Sequence, residues 1–425
     1  MNAHVVSEDA QSVTLQFTIR LNRSMLESEI AIQEGLNEAG CLATSELLKR
    51  FDTDGSVIMV GHTKLTSKGQ LDKEYQTPYG STIVARHVYQ SNQGGKTFCP
   101  MERDARIIQT ATPRLAQQVS HKYAEFGAPR VLVDLEQNHG RKVSLGFVQG
   151  IAEAVAAVAL LKEESWHYST PKLEETVASV SIGIDGTCVL MHDDGWRQAM
   201  VGSLALYDPQ GERLHTTYVA ATPEYGKQTF LQRMDREIQQ VKEHYPDAIT
   251  VAVADGAADN WTFLNPRSDL QILDFFHASE YLSDVADAVF ARQPQVRRQW
   301  MEDAAHRLKH ESGGATQLIV EMQQFLEKPL KKDDGIQVHK ALTYFKNHES
   351  MMTYADHVDR KLPIGSGVTE AACKLIIKQR LCSSGMRWKD TGAAAVLTLR
   401  SLSYSTGRWE QFWQKVDQYG YSVAA

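Results

Sequence analysis

Three acidic residues stand where an apolar chain has little use for charge. Asp185 interrupts the alternation of SIGIDGT (181–187), Asp255 ends the run VAVADG (251–256), and Glu370 follows a glycine turn in GSGVTEAACK (365–374). An ionised carboxylate in an apolar strand is costly without a cation or donor beside it. One at a strand tip sits where sheet proteins place chemistry rather than packing. Hard divalent cations take oxygen ligands, so a set of Asp and Glu suits Mg2+ or Mn2+. Two such ions about 4 Å apart neutralise the attacking and leaving oxygens of a phosphodiester. Asp185, Asp255 and Glu370 are therefore the candidate catalytic and metal-binding residues, with Asp255 bridging the pair of ions or binding one together with Asp185, and Glu370 holding the second. Each also has a plainer use: Asp255 precedes glycine as a turn former does, and Glu370 follows Thr369 as at a helix start. Asp193 and Asp194 read as turn residues, and Asp259 as a rival ligand.

The elements that must position these acids follow from periodicity. VASVSIGIDGTCVLMHD, WRQAMVGSLALYD and RLHTTYVAAT read as three strands joined by the turns DDG and DPQGE. Phe230, Met234, Ile238, Val241 and Tyr245 mark a helix; AITVAVAD is a fourth strand, a short helix follows, and LQILDFF is a fifth strand. From His277 to about Asp359 the chain is helical and too long for a loop, so it reads as an insertion. Beyond LPIGSGV two helices close the domain, the second spanning GAAAVLTLRSLSYSTGRWEQFWQKV. This βββαβαβ order with a final helix is that of the ribonuclease H-like fold, which places carboxylates at the three positions named above.

Upstream, residues 24–51 have helical spacing, and STIVARHVYQSNQGGKTF alternates as a hairpin around SNQGG. From Pro113 the pattern is helical again. APRVLVDLEQNHG and the run after Ser144 flank the turn NHGRKV, a helix-turn-helix spacing in which the second helix would read a groove. The expected organisation is a helical region 1–74, a β-hairpin segment 75–112, a helix-turn-helix-like region 113–161, a linker 162–178, a catalytic domain 179–277 and 362–412, the insertion 278–361 and a tail 413–425.

Composition excludes some classes. Of 425 residues 42% are apolar and 23% charged, the balance of a folded globular chain. The longest apolar run falls short of the roughly 18 residues of a bilayer span, and the N-terminus lacks a basic segment followed by an apolar core. The expectation is a cytoplasmic, nucleoid-associated protein with no membrane partner. The five cysteines form no CxxC pair, which argues against a zinc ribbon or a disulfide framework. The net charge of −7 hides an asymmetry: residues 371–408 carry Lys374, Lys378, Arg380, Arg387, Lys389, Arg400 and Arg408 against Asp390 alone. Such a segment could follow a phosphate backbone, and Arg141 and Lys142 in the NHGRKV turn are further DNA-binding candidates.

Several blocks together, IGIDGT, VADGAADNW, DFFHASEYL, GSGVTEAACK, SSGMRW and TPYGSTIVARHVY…CPMERDARI, resemble the DDE transposases of bacterial insertion sequences of the Kra group. The resemblance covers roughly residues 75–412. It implies a ribonuclease H-like catalytic domain with a helical insertion before the last acid, and the triad Asp185, Asp255 and Glu370. DFFH also resembles the D-x-x-H signature that follows the second acid in Mutator-like transposases, which makes His277 a site residue supported by Asp274. Trp388 of SGMRW is a candidate for stacking an extruded base.

The function so implied is DNA transposition. Terminal inverted repeats are bound, two Mg2+ or Mn2+ ions per site support strand cleavage and strand transfer into target DNA, and paired ends require at least a dimer. Two rivals stand beside it. GIDGT is similar to the phosphate loop of actin-like and sugar-kinase ATPases, but there one residue separates the aspartate and glycine, and VADGAADNW offers one glycine where a second loop is needed. A transposase-derived DNA-binding regulator without catalysis would also keep these blocks, although all three acids are present.

Overall fold

The computed structural model describes residues 3–421. The chain divides into two compact units, Met1–His167 with Trp409–Ala425, and Tyr168–Arg408. The division at His167 falls within the polar stretch 162–178.

The first unit opens with a hairpin of β1 (His4–Glu8) and β2 (Val13–Gln16). Helix α1 (Met25–Lys49) follows, its first turn capped by the Ser24 hydroxyl, which accepts the Glu27 N–H. Strands β3 (Ile58–Val60), β4 (Thr63–Gln76), β5 (Ser81–Ser91) and β6 (Gly94–Phe98) form an antiparallel sheet in that order. Residues 1–74 are therefore not a helical region: α1 shares them with strands β1 to β4. The hairpin expected in 75–112 is β5 and β6, half of a four-stranded sheet. β4 escapes the periodicity test because TKLTSKGQLDKEYQ is mostly exposed and polar, and a register shift between Ser67 and Gln70 interrupts it, with Gly69 at φ +92°. Backbone pairing rather than hydrophobic alternation holds such a strand.

Four helices complete this part: α2 (Pro100–Asp104), α3 (Pro113–Glu125), α4 (Ala128–His139) and α5 (Leu145–Lys162). Gly140, at φ +62°, closes α4, and the Ser144 hydroxyl caps α5, as the spacing predicts. α5 buries one face, which leaves only its exposed positions for the expected role of groove reader. Val148, Ile151, Ala152, Val155 and Ala156 are buried, and the helix packs on α3 and α4. Its exposed polar positions are Gln149 and Glu153, neither a cation. α5 is also longer and more apolar than the sequence reading allowed: by length and composition alone it passes as a membrane span.

The second unit is built on a five-stranded mixed sheet flanked by helices. β7 (Ser179–Met191), β8 (Gly195–Tyr207) and β9 (Arg213–Ala221) pair antiparallel. α6 (Gln228–His244) then leads to β10 (Ile249–Ala254), and α7 (Ala258–Leu264) to β11 (Leu270–Leu273). β10 pairs parallel with both β7 and β11, giving the order β11-β10-β7-β8-β9. Phe230, Met234, Ile238 and Val241 form the buried stripe of α6, which packs on β8 and β9. Helices α8 (Phe275–Val289), α9 (Pro294–His310), α10 (Gly314–Leu326), α11 (Lys332–His348) and α12 (Tyr354–Asp359) occupy the stretch read as an insertion, and their buried residues join the core of the sheet. The fifth strand is shorter than expected. It stops at Leu273; Asp274 caps α8, and Phe275 and Phe276, expected in the strand, lie with His277 in the first turn of that helix.

After the turn at Gly365 come α13 (Gly367–Ala372), a π-helical stretch Cys373–Lys378, and α14 (Gln379–Leu381). The last apolar run is two helices, not one: α15 (Asp390–Tyr404) and α16 (Arg408–Tyr419). Ser405 leaves the helical conformation, and its hydroxyl accepts the Tyr218 N–H on β9 at 2.8 Å; Gly407 turns at φ +78°. α16 takes up most of the expected tail and from Trp409 on belongs to the first unit, where the Trp409 ring meets His121 edge-on and Phe412 lies tilted against Trp166.

Candidate active site

The sheet register brings the first two acids together. β7 and β10 pair through Ile182 opposite Ala252, so three residues further along each strand Asp185 and Asp255 fall in the same row. β10 and β11 pair through Ala254 opposite Leu273, and the next residues, Asp255 and Asp274, extend that row. Three adjacent parallel strands thus carry an aspartate at one level. The Asp255 turn is held by its own groups: Oδ1 accepts the Ala257 N–H at 3.1 Å and the Asn260 amide at 3.3 Å, and its carbonyl accepts the Trp261 indole N–H at 2.7 Å. No hydrogen bond among the described residues reaches Oδ2.

Glu370 is brought to the sheet by its neighbour. Thr369 is buried against β7 and β8, with its hydroxyl 2.8 Å from Ser203 Oγ. Gly183, two residues before Asp185, makes the close approach possible: a Cβ there would lie 2.0 Å from Thr369 Oγ1 and 3.3 Å from the Val253 carbonyl. Gly183→Ala is therefore expected to lift the start of α13. The overpacking costs about 1–3 kcal/mol, seen as a lowered Tm, and the displaced Glu370 should cost more activity than the stability loss explains.

Glu370 does not form a three-carboxylate cluster with Asp185 and Asp255. Among the described residues, the three metal-capable side chains whose ligand atoms lie within 4.8 Å of one another are Asp274, His277 and Glu370. The predicted triad is thus divided. Asp185 and Asp255 share a row, while Glu370 stands beside the D-x-x-H pair and receives the Ser366 hydroxyl on Oε1 at 2.8 Å. Its helix start leaves it exposed and able to take more than one direction, which no sequence spacing decides.

Asp274 has its own structural work. It is fully buried, and its carboxylate caps α8, accepting the N–H of Phe276 at 3.2 Å and of His277 at 3.4 Å. It also accepts the Ser366 N–H at 3.0 Å, and lies 3.3 Å from His277 Nδ1. One carboxylate therefore clamps a strand end, a helix start and the loop before Glu370, and orients the half-exposed His277.

Two further features were not legible in the sequence. The Cys373 thiol, buried one turn beyond Glu370, donates to Asp185 Oδ2 at 3.2 Å, and burial together with the Asp185 carboxylate pushes it up to about 12. From α11, Tyr344 and His348 press on the Asp255 turn, leaving no room for a Cβ on Gly256. His348 Nδ1 lies 2.8 Å from the Tyr344 carbonyl, which can only accept, so Nδ1 carries a proton, and Nε2 lies beside Gly256. Burial raises the Tyr344 phenol, with Tyr281, Asp255 and Asp274 adding to it. The i, i+4 spacing of Tyr344 and His348 places them on one face of a helix, but only the folded chain shows what that face meets.

The basic segment is less exposed than its sequence suggests. Lys374, Lys378, Arg387 and Lys389 are exposed. Arg380 is 4% exposed over the Trp388 ring, Arg400 is buried against the Leu375 carbonyl, and Arg408 pairs with Glu237. Arg380 is thus not a DNA contact at the surface. Trp388 is half-buried and tied at its indole N–H to the Leu381 carbonyl and at its backbone to Leu190 and His192, a brace for the end of β7 rather than a free stacking ring. Arg141 is also buried, donating to the Thr77 carbonyl and to Gln76 Oε1, whereas Lys142 is exposed and lies 3.3 Å from Glu136. Long basic side chains bury as readily as they reach out when backbone carbonyls await them, and sequence does not separate the two.

The carboxylates fit a hard divalent cation. Asp185, Asp255 and Glu370 offer only oxygen; Asp255 Oδ2 and Glu370 Oε2 receive no hydrogen bond from the described residues, and Asp185 Oδ2 receives only a weak S–H donor. Like charges in one row favour a cation between them. Compared with known proteins, the chain matches no family model and no curated protein.

Proposed function

We propose that the second unit is the catalytic domain of a DDE transposase of the insertion-sequence type, of ribonuclease H-like fold, acting on DNA with two Mg2+ or Mn2+ ions. The observation that carries this reading is the row formed by Asp185 and Asp255 on adjacent parallel strands, with Glu370 on a helix docked over Gly183. The strand order, three antiparallel strands followed by two parallel ones across β7, supports the same fold.

Asp185 and Asp255 would hold one ion and Glu370 the second, and bound metal supplies charge neutralisation at the phosphate and lowers the pKa of an attacking water. Asp274 fixes the loop and helix that carry Glu370, and His277 faces the same acid. Water attack at the element end releases a 3′-OH, which then attacks target DNA by direct transesterification; double-stranded DNA is the partner in both steps. Paired ends call for at least a dimer, and the site of action is the bacterial cytoplasm, on the nucleoid. The direct test is incubation of the full chain with DNA carrying the element ends and Mn2+. A nick at the end supports the reading, and its absence under conditions where those ends are bound counts against it.

DNA contacts fall to the exposed cations near the acids. Neutralising Lys374, Lys378, Arg387 and Lys389 together as Gln is expected to flatten the dependence of binding on salt. Removing one phosphate-binding cation changes the slope of log K against log salt by about 0.9. With four cations neutralised the slope should fall by roughly 3 to 4, read by fluorescence anisotropy across a salt series. Arg141→Ala, which removes a buried clamp, should instead lower stability and leave the slope unchanged.

A further inference from the structure

We infer that Cys373 is a positioning residue for Asp185, holding the first acid of the site from the helix that carries the third. This rests on the metal-site reading above. Asp185 is held from two sides. Its own strand donates the Gly186 N–H to Oδ1 at 2.6 Å, and the Cys373 thiol donates to Oδ2 at 3.2 Å. Together the two donors fix the plane of the carboxylate while leaving a lone pair on each oxygen for a cation.

The thiol stands three residues beyond Glu370 on the same helical run, at the first position of the π-helical stretch Cys373–Lys378. π-turns displace the residues that follow them and recur where a helix must serve a site. Here the widened turn begins at the residue that touches Asp185, and its stretch packs on β7. Cys373 is buried, so its sulfur is not a surface group awaiting modification. It links the Glu370 helix to the Asp185 strand, so that movement of one acid is felt by the other. A ligand held by such a neighbour is preorganised, and losing the neighbour typically weakens metal binding by roughly 10–100-fold.

The test reads cation binding directly, by Mn2+ titration of the full chain with electron paramagnetic resonance, alongside Tm and strand cleavage. Cys373→Val fills the site with an apolar side chain and removes the donor, Cys373→Ser keeps a donor, and Asp185→Asn marks loss of the site. Binding by the wild type, lost in Asp185→Asn, weakened about tenfold in Cys373→Val and within about threefold of wild type in Cys373→Ser, supports positioning. Cys373→Ala serves as the donorless variant where valine is not accommodated.

Unchanged binding in the donorless variant overturns the inference. So does equal weakening in the serine and donorless variants that tracks their loss of Tm, since that is packing alone. If the wild type binds no Mn2+, the metal-site reading fails and the inference with it. If the wild type binds Mn2+ at Asp185 but cuts no element end, only the transposase reading fails, and the binding series still decides the role of Cys373.

Discussion

Asp185→Asn and Asp255→Asn are each expected to reduce strand cleavage by roughly 10³-fold or more, equivalent to about 4 kcal/mol of transition-state stabilisation. The change is isosteric and removes one negative charge from the row across β7 and β10. For Asp255 the amide oxygen still accepts the Ala257 N–H that shapes the turn, so the fold should hold. Stability should stay within about 1 kcal/mol of wild type, and relief of repulsion between neighbouring carboxylates pushes it upward. DNA binding in the absence of metal should be unchanged. The measurement is a cleavage time course in Mn2+ with the melting curve of each variant beside it. Cleavage near the wild-type rate in both variants would sink the metal-dependent assignment. Glu370→Gln distinguishes the third ligand: a comparable loss supports Glu370 as holder of the second ion, and an unchanged rate removes it from the metal set.

The largest effect on stability is expected at Asp274. Asp274→Ala removes the cap of α8 and leaves the partly buried N–H groups of Phe276, His277 and Ser366 without their acceptor. Loss of a cap costs about 0.5–2 kcal/mol, and a donor left without a partner up to about 1–3 kcal/mol where water does not reach it, so the variant should lose about 2–4 kcal/mol. Equilibrium urea unfolding reads this as a lower midpoint at unchanged slope. Asp274→Asn keeps an acceptor for the cap and should lose less than half as much. The pair of variants also separates two roles. If Asp274 is a clamp, Asn preserves much of the cleavage activity; if it is a metal ligand, Asn abolishes activity while remaining folded.

The two aspartates of the row were legible because each breaks a strong local rule. Asp185 places charge in an apolar alternation, and Asp255 ends one before glycine. Their proximity followed from reading the strands as neighbours, since equal steps along parallel strands keep two residues level. Glu370 breaks no such rule. It lies at an exposed helix start where a glutamate is ordinary, and its side-chain direction depends on Ser366 and the nearby D-x-x-H pair. Cys373 carried no signal, because a small apolar residue is the expected occupant of a buried helical position and its sulfur gains a role only from the strand it meets.

Sequence by itself determined the order of elements from β7 to β11, the helical nature of the long stretch before Glu370, and the turn between Gly140 and Ser144. All of these depend on local periodicity, capping and glycine conformation, which act over a few residues. The tertiary structure alone decided that α5 buries one face against α3 and α4, that Arg141, Arg380, Arg400 and Arg408 are buried while Lys374 and Lys378 face solvent, and that α15 and α16 part at Ser405. It also decided that Asp274 clamps the loop before Glu370, a hydrogen bond spanning 92 residues. These outcomes depend on which distant backbone groups and side chains arrive at a given place, and burial and long-range hydrogen bonding are properties of that arrival rather than of the residues alone.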